Sequence, residues 1–486
     1  MTLDDFLFET RPLPGAMPVW VAQVDAHSWR AACSTVRETG GRLVALWGTD
    51  NSDLGSGFGV YAALGTRSGL LVIGLPVAGE AYPDVSDVFP AANRMQRAVQ
   101  DLYGIRPENA ADTRKWLRHA AWPDEVFPLR RSFDARQSFP NGVDGYPFVE
   151  VGGEGVHEIP VGPVHAGTIE PGHFRFSIVG EGILRLEERL GYKHKGIEKL
   201  FETMTLAEGA KLAGRVSGDS TVGYAWAYAM AVESVTGAVS PPRALWLRAL
   251  LLERERIGQH LWDLGFLGND AGLAFGLAQF SRVREDWLRT NHALFGHRYL
   301  MDAIVPGGVA RDIDASGISR MRQEIPEVGK TVAVLKNIYD EHAGLQDRFI
   351  GCGRVKPELA DRMGLTGLAG RASAMAWDLR AQFPPAPYDR LDVRMATHRN
   401  GDVAARVTVR FEEIAESLRL LDAILDGLPG GDIAVPLGVA PENAFGMGWV
   451  EGWRGEILIA LETGSGNRIR RLHPHDPSWQ NWPVLE

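Results

Sequence analysis

The sequence predicts an α+β fold, with an α+β domain over residues 1–145 and a mainly helical domain with a small antiparallel sheet over residues 146–486. Three observations predict this arrangement. Short apolar runs separated by turn residues occur in the first domain, a Gly- and Pro-rich stretch spans residues 139–154, and long segments with helical spacing follow. At 486 residues the chain is long enough for two or three domains with a substantial core.

The first domain is predicted to contain antiparallel strands followed by a helix. Three apolar runs bounded by turn residues predict strands at Leu43–Trp47, Phe58–Leu64 and Leu70–Leu75. Apolar residues over 87–102 are spaced for one face of a helix. The cluster Gly55–Gly59 lacks both the lysine and the strand–turn–helix context of a phosphate-binding loop, so we predict a hairpin turn there.

Residues 162–228 combine strands, a helix and a polar loop. Apolar and polar residues alternate over residues 174–179, and the glycines that follow predict a turn into a second strand, Ile183–Leu190. Glu198 lies at the start of a helical segment, and the small residues Ser217–Ser220 form a loop before a helix of alanine and aromatic residues. We expect polar groups from the hairpin, the helix and the loop to converge on one cleft.

The rest of the second domain is predicted to be mainly helical. A long helix begins at Pro241 or Pro242, where no amide donor is required, and ends near residue 267. Its charged run, Glu253–Arg256, is expected to form a solvated face of ion pairs. Further helices are predicted over residues 271–294, 318–348 and 399–428.

A strand pair near the C-terminus completes the predicted fold. Residues Val450–Leu461 predict one strand, and Gly464–Gly466 form a turn into a second strand, Arg468–Leu472. The loop that follows contains two histidines and an aspartate. This hairpin therefore carries titratable side chains to the end of the sheet.

Composition excludes several classes of protein. The chain has 51 Lys and Arg against 61 Asp and Glu, a net charge of −10, and no basic cluster with interleaved aromatics, so no nucleic-acid partner is expected. Two cysteines, Cys33 and Cys352, are too few for a disulfide scaffold or for an iron–sulfur cluster held by this chain alone, and both are expected to be buried.

Membrane association is expected through partner proteins. The acidic N-terminus does not resemble a signal peptide, and the longest apolar run, near residues 223–232, is about half as long as a bilayer span requires. We expect a cytoplasmic protein attached peripherally to the membrane.

Histidines and carboxylates leave a metal site open as one interpretation. His473, His475 and Asp476, with His165 and His173, are residue types that bind zinc or iron. The alternative is a turn in which Asp476 accepts backbone hydrogen bonds before a proline.

Four segments carry a family resemblance. The chain from Gly162 to Glu202, the loop Arg215-Val216-Ser217-Gly218-Asp219-Ser220 and the tail Asp476-Pro477-Ser478-Trp479-Gln480-Asn481 resemble the large subunit of the group 4 energy-converting [NiFe] hydrogenases of the formate hydrogenlyase type. This subunit is homologous to the 49-kDa quinone-pocket subunit of complex I. Residues 101–131 resemble the complex I 30-kDa subunit that is fused to it.

The metal-binding thiols of those hydrogenases are replaced in this sequence. The hydrogenase motifs are Arg-x-Cys-Gly-x-Cys and Asp-Pro-Cys-x-x-Cys, and the four cysteine positions fall here on Ser217, Ser220, Ser478 and Asn481. Nickel and low-valent iron require soft thiolate donors, whereas a hydroxyl is a hard ligand with a high pKa. We therefore expect neither a nickel–iron centre nor hydrogenase activity.

The resemblance also implies candidate site residues. His165 or His173 matches the histidine region of the quinone pocket, and Tyr224 lies about one turn beyond the position of the quinone-binding tyrosine. Glu198 matches a glutamate that holds magnesium in the hydrogenases, but the histidine that completes that site is replaced by Val484. The candidate catalytic residues are His165, His173, Arg215 and Asp476.

Two functions remain open. The first is a peripheral subunit of a complex I-like or formate hydrogenlyase-like oxidoreductase that transfers electrons from NAD(P)H or ferredoxin to quinone or a similar acceptor. The second is a catalytically silent scaffold for coupling or assembly. The resemblance implies an iron–sulfur small subunit, ferredoxin-like subunits and membrane antiporter-like subunits as partners. No cofactor is firmly expected in this chain; quinone and magnesium are the candidates.

Overall fold

The computed structural model describes residues 6, 8–140, 142–165 and 169–486. The chain divides into two compact units. Unit 1 contains Trp20–Leu200 with both chain ends, and unit 2 contains Leu13–Val19 with Phe201–Ser478. Residues 109–140 and 142–156 contain neither helix nor strand, and the Gly- and Pro-rich stretch predicted over residues 139–154 lies within this irregular part. The predicted domain boundary at residue 145 stays a prediction.

The first part of unit 1 is a five-stranded sheet with two helices. The sheet has the order β1-β2-β5-β4-β3, and β4 pairs antiparallel with both β3 and β5. The three predicted strands are thereby confirmed. The elements are β1 (Arg11–Pro12), β2 (Val19–Gln23), α1 (Ala26–Glu38), β3 (Arg42–Asn51), β4 (Gly57–Thr66), β5 (Gly69–Val77), β6 (Ala81–Pro83), α2 (Ala92–Tyr103) and β7 (Arg106–Glu108).

The core of unit 1 lies between this sheet and its helices. Trp29, Cys33 and Val36 of α1 are fully buried, as are Leu64 of β4 and Ile73 of β5. The burial of Cys33 is as predicted. Helix α2 begins at Ala92 rather than residue 87, because the proline at position 90 disfavours helical geometry in the residue before it. Gly55, at φ +72°, lies in the connection between β3 and β4, which confirms a turn.

A three-stranded antiparallel sheet forms the second part of unit 1. Its order is β10-β9-β8, and the predicted hairpin is confirmed by the pairing of β9 with β10. The short helix predicted at Glu198 is also present. The elements are β8 (His157–Val161), β9 (His173–Val179), β10 (Gly182–Arg189) and α3 (Ile197–Phe201).

Unit 2 is mainly helical, as predicted. Its helices are α4 (Leu206–Ala213), α5 (Thr221–Thr236), α6 (Pro242–Asp270), α7 (Ala274–Phe295), α8 (Ala315–Glu341), α9 (Ala343–Phe349), α10 (Pro357–Met363), α11 (Gly367–Ala372), α12 (Leu379–Gln382) and α13 (Val403–Gly427). The predicted helix 318–348 is in fact two helices. His342 has an extended backbone, and its side chain accepts a hydrogen bond from the Leu345 amide at the start of α9.

Two small sheets complete unit 2. The strands are β11 (Ile304–Val305), β12 (Gly308–Val309), β13 (Phe445–Glu451), β14 (Glu456–Thr463) and β15 (Ile469–His475). The last α-helix, α14 (Ser478–Asn481), begins at the final residue of unit 2 and continues in unit 1. The order β13-β14-β15 confirms the predicted hairpin. The prediction of one strand over Val450–Leu461 is wrong, because the turn Gly452–Gly455 separates β13 from β14 and Gly455 adopts φ +141°.

Two predictions about burial are also wrong. Cys352 is exposed in a turn after α9. The charged run Glu253–Arg256 is buried, with residue exposures between 0% and 6%. Helix α6 contacts α5, α7 and α13, so little of its surface reaches solvent, and its charged side chains are paired with other elements. Periodicity along one helix does not reveal partners that come from distant segments.

No helix in the described ranges is long and apolar enough to cross a bilayer.

The close packing of α5 on β13 gives a test of the fold. A Cβ atom added at Gly448 would lie 1.8 Å from the Ala227 carbonyl oxygen, so we expect Gly448→Ala to lower the free energy of unfolding by about 1–3 kcal/mol or more. Gly430→Ala is the matched control, because nothing lies within 4 Å of its added Cβ. Denaturant unfolding of both variants checks this; equal stabilities would contradict the packing.

Candidate functional site

Three segments of unit 2 meet where the substituted hydrogenase motifs lie. The loop between α4 and α5 contributes Ser217 and Asp219, the turn between β13 and β14 contributes Arg454, and the segment after β15 contributes Asp476. Tyr224, in the first turn of α5, completes the group. We call these five side chains the Arg454 cluster.

Arg454 is the centre of this cluster. Its guanidinium forms an ion pair with Asp219 and a second with Asp476, the latter at 3.3 Å, and it donates to the Ser217 hydroxyl at 3.3 Å. Trp453, next to it in the turn, donates its indole N–H to the Asp219 backbone oxygen at 3.0 Å. The turn and the loop are therefore joined by both side-chain and backbone contacts.

Asp476 is stabilised as a carboxylate. Burial opposes its ionisation, but Arg454 and hydrogen bonds from Ser478 and Tyr224 outweigh burial and lower its pKa to about 2. The Tyr224 hydroxyl donates to Asp476 at 2.8 Å, and the Ser478 amide donates at 2.9 Å. Asp476 thus accepts a backbone hydrogen bond before a proline, as the second interpretation of this loop expects.

The serines that replace the thiols are engaged with carboxylates. Ser217 donates to Asp219 at 2.6 Å, and Ser478 donates to Asp476. Ser220 is buried directly before α5. Hard hydroxyl donors beside a central guanidinium do not match the soft, anionic environment that nickel and low-valent iron require. The residues of this corner do not fit a nickel–iron pair. Asn481, the fourth replacement, belongs to unit 1.

Glu255 of α6 is a further buried acid of this region. Its carboxyl group accepts hydrogen bonds from the Val222 amide at 2.7 Å and the Gly223 amide at 3.1 Å, at the N-terminus of α5. Burial raises its pKa to about 8, although these two hydrogen bonds oppose the rise. Glu255 therefore fixes the start of the helix that carries Tyr224.

The other candidate residues of unit 2 have different environments. Arg215 does not contact the Arg454 cluster through any described ion pair; it binds Asp302 in a bidentate pair at 2.7 and 2.8 Å. Tyr224 is fully buried, and burial first, then Asp476, raises its pKa well above the usual value. The Tyr224 hydroxyl thus stays protonated and donates its hydrogen bond to Asp476.

The candidate histidines lie in unit 1. His165 is exposed, and its ring meets Phe174 edge-on at 5.6 Å. His173, the first residue of β9, is 8% exposed; burial lowers its pKa, and its Nδ1 lies 3.3 Å from the Gly162 carbonyl oxygen. Burial thus favours the neutral imidazole of His173. The predicted convergence of hairpin and loop residues on one cleft stays a prediction.

The metal interpretations gain no support from the described residues. Over residues 8–140, 142–165 and 169–486 no group of three or more His, Cys, Asp or Glu is placed to hold a metal ion. The rings of His473 and His475 lie 6.5 Å apart. Glu198 lies in the first turn of α3, and its role as a magnesium ligand stays a prediction.

Sequence reasoning missed Arg454, Asp219 and Glu255. One pattern could have indicated Arg454: it lies between Glu451 and Glu456, so three charges stand at the turn between two mainly apolar strands. Charges there require partners, and a buried partner must come from elsewhere in the chain.

Comparison with known proteins agrees with this architecture. Residues 22–139 match the 30 Kd subunit and residues 270–445 the 49 Kd subunit of the respiratory-chain NADH dehydrogenase. Over 456 residues the chain is 34% identical to formate hydrogenlyase subunit 5 of Escherichia coli, covering 92% of this chain and 80% of that protein. The chain belongs to the family of fused 30 Kd/49 Kd subunits.

Other members and a solved structure extend the comparison. The NADH-quinone oxidoreductase of Bacteroides thetaiotaomicron has a subunit that is 30% identical over 411 residues, covering 80% of this chain and 77% of that protein. A chain of the membrane-bound sulfane sulfur reductase, an archaeal respiratory membrane complex, matches with a TM-score of 0.65 at 26% identity, covering 68% of this chain and 92% of that one. The fused subunit thus belongs to a family of hydrogenase-type and complex I-type subunits.

Removing Arg454 tests the electrostatics of its cluster. We expect Arg454→Ala to lower the free energy of unfolding by about 1.5–3 kcal/mol at neutral pH, because Asp219 and Asp476 lose hydrogen bonds from a charged donor and repel each other. Without Arg454, burial and the repulsion raise the pKa of Asp476 in the folded variant, so the loss of stability should shrink as the pH falls from about 7 to about 4.5.

A second substitution serves as the control for this charge effect. Arg454→Ala combined with Asp219→Asn removes the repulsion and should recover part of the loss at neutral pH. Thermal unfolding over the same pH range measures both variants. A loss that does not change with pH would contradict the electrostatic explanation.

Proposed function

We propose that the fused subunit is the peripheral, acceptor-side subunit of a membrane-associated complex I-like oxidoreductase, in which electrons from a partner's iron–sulfur cluster reduce quinone or a similar acceptor without a nickel–iron centre. The observation that carries the proposal is the Arg454 cluster. A guanidinium is paired with two carboxylates where the hydrogenase motifs of the resemblance have thiolates.

The chemistry of that corner argues against a hydrogenase reaction. A nickel–iron pair would have to displace Arg454 from Asp219 and Asp476 and would find hydroxyl oxygens in place of bridging sulfur. The positive guanidinium would also repel a metal cation placed beside it. These features favour an organic electron acceptor, bound to this chain through hydrogen bonds, over a metal centre.

Quinone is the acceptor that the histidines support. Reduction of a quinone to a quinol consumes two electrons and two protons, so a pocket that performs it needs proton donors. Two histidines, His173 and the exposed His165, lie near the start of β9. The ring centroids of His173 and Phe148 are 5.2 Å apart. An imidazole is suited to proton transfer near neutral pH. Relatives of the subunit include an NADH-quinone oxidoreductase.

Electrons must come from other subunits. Cys33 and Cys352 are the whole cysteine content of the chain, too few to hold an iron–sulfur cluster. We propose an iron–sulfur small subunit and ferredoxin-like subunits as electron carriers from NAD(P)H or ferredoxin. We also propose antiporter-like membrane subunits that attach the complex to the cytoplasmic face. Under this proposal Glu198 is the residue to test for magnesium.

A catalytically silent scaffold is the second candidate function. The observation that favours it is the internal pairing of the Arg454 cluster, in which Ser217, Tyr224 and Arg454 all bind carboxylates of the same cluster. Such a cluster stabilises the fold without any ligand. In this case the complex assembles, and substitutions of the candidate residues leave redox turnover unchanged.

Metal content tests the absence of a nickel–iron centre. We expect the purified complex to contain iron from partner clusters but no stoichiometric nickel, and to evolve no hydrogen, because the donor set is hard and partly cationic. Elemental analysis and a hydrogen assay provide the measurement. Nickel at one atom per chain would overturn the proposal.

Histidine substitutions test the acceptor chemistry. In the intact complex, His173→Ala and His165→Ala should each reduce the rate of quinone reduction, by about 10²–10⁴-fold if the residue donates a proton. His157→Ala, an exposed histidine of the same sheet, is the matched control and should leave the rate unchanged. Assembled complexes with unaltered rates in all three variants would favour the scaffold.

A further inference from the structure

A second set of buried charges lies in unit 2, apart from the Arg454 cluster. It brings together side chains from α6, the segment α11–α12, α13 and β13, and every member is at most 3% exposed. Four members are carboxyl groups and three are guanidinium groups. We call this set the core cluster; it consists of Glu253, Asp378, Glu413, Glu451, Arg256, Arg371 and Arg380.

Glu253 has the contacts of an ionised carboxylate. Arg380 Nη1 lies 3.0 Å from both of its oxygens, the Tyr388 hydroxyl donates at 2.5 Å, and the Ser417 hydroxyl donates at 2.6 Å. Arg256 approaches the same group at 3.5 Å. Each carboxylate oxygen of Glu253 is thus stabilised by charge and by hydrogen bonds.

Glu413 and Asp378 are ionised for the same reason. Glu413 accepts from Arg371 at 2.7 and 2.9 Å and has His260 Nε2 at 2.8 Å, while Arg380 binds Asp378 at 2.7 and 3.1 Å. Burial opposes ionisation of both acids, but the arginines outweigh it, so the pKa of Asp378 is about 2 and that of Glu413 lies well below its usual value.

The ionised form of Glu451 is stabilised by fewer contacts than those of Glu253, Asp378 and Glu413. Its carboxyl group accepts from Arg371 Nη1 at 2.8 Å and from the Leu379 amide at 3.2 Å. Arg256 binds the Glu451 backbone oxygen rather than its carboxyl group. Two further acids face it: Asp378 across Arg371, and Glu456, its directly paired residue on β14.

Charge balance identifies the group that is neutral. The three guanidiniums of the core cluster compensate three of its four carboxylates, and burial lowers the pKa of His260, which favours its neutral form beside Glu413. If Glu451 were also ionised, it would share Arg371 with Glu413, and one negative charge would stay uncompensated in the buried interior, which is costly. We propose that Glu451 is a proton-binding site, protonated while Glu253, Asp378 and Glu413 stay ionised, and that it exchanges this proton with solvent. Burial first and then the charge of Asp378 raise the pKa of Glu451 to about 7, although Arg371 opposes the rise.

The proton-binding site at Glu451 goes beyond the proposed function, because proton binding there does not depend on which acceptor is reduced. Glu451 is nonetheless close in sequence to the Arg454 cluster. Glu451 directly precedes the turn that carries Arg454, and Arg256 of the core cluster donates to the backbone oxygens of both Glu451 and Gly452. Protonation of Glu451 changes the charge next to this anchored turn.

Linkage predicts how the proton affects stability. A glutamate with a pKa near 4.3 in the unfolded chain and about 7 in the folded chain binds more protons when folded, so its contribution to stability is lost as the pH rises through this window. Glu451→Gln mimics the protonated group and removes this dependence. The folding equilibrium constant of the wild type should fall relative to that of E451Q by about tenfold per pH unit between the two pKa values.

The test compares wild type, E451Q and E413Q in the assembled complex by thermal unfolding from about pH 5 to about pH 8. We expect E451Q to gain stability over the wild type as the pH rises. E413Q should be less stable at every pH, because Arg371 and His260 lose an ionised partner. Parallel curves for wild type and E451Q would overturn the proposal.

If the E451Q complex does not assemble, infrared spectroscopy tests whether Glu451 is protonated in the wild-type site. A protonated buried carboxyl group gives a carbonyl band that shifts in D₂O and disappears on ionisation. Glu188 and Glu255 also have raised pKa values, about 7 and about 8, and burial raises the pKa of Asp101 and Asp422 as well. The band is therefore recorded in the E188Q/E255Q variant that also carries D101N and D422N. A band that titrates near neutral pH in this variant supports Glu451 as the proton site, and absence of the band overturns it.

Discussion

Unit 2 depends on the charges of α6 being neutralised by segments that are distant in sequence. Glu253 and Arg256 lie in the middle of a helix that is surrounded by others, and each would be costly to bury alone. Their partners come from α12 and α13, more than a hundred residues later. Because a guanidinium bonds only in a fixed plane, these pairs fix the register of the helices relative to one another. The pairs therefore constrain how α6, α12 and α13 pack against one another.

The Arg454 cluster depends on this arrangement. Arg256 holds the backbone of the turn after β13, and that turn positions Arg454 between Asp219 and Asp476. Glu255, one residue earlier on α6, holds the first amides of α5, which carries Tyr224. Glu255 and Arg256, which are adjacent in α6, thus position the start of α5 and the turn that carries Arg454. The family resemblance implies that hydrogenases bind metal in this corner. In this chain, ion pairs of Arg454 hold the segments of this corner together.

Local pattern was sufficient for most of the secondary structure. The strands β3, β4 and β5, the hairpin of β9 and β10, and the long helix α6 were predicted from alternation, turn residues and helical spacing. The predictions were wrong where the same local pattern is compatible with two structures. His342 ends one helix and caps the next, Gly455 breaks an apolar run that alternates like one strand, and the charged residues of α6 face inward although their spacing suits a solvated face. In each case the deciding contact comes from another segment.

The sequence by itself determined the chemistry that is available. It established the family resemblance, which implies three serines and an asparagine at the positions of the four hydrogenase thiols, and a cysteine content too low for a cluster in this chain. Only the tertiary structure decided which charges meet: Arg454 with Asp219 and Asp476, and Glu451 with a single arginine it shares with Glu413. The reason is physical, since a residue's charge is fixed by its type whereas its pKa and partners depend on burial and on groups brought near by folding.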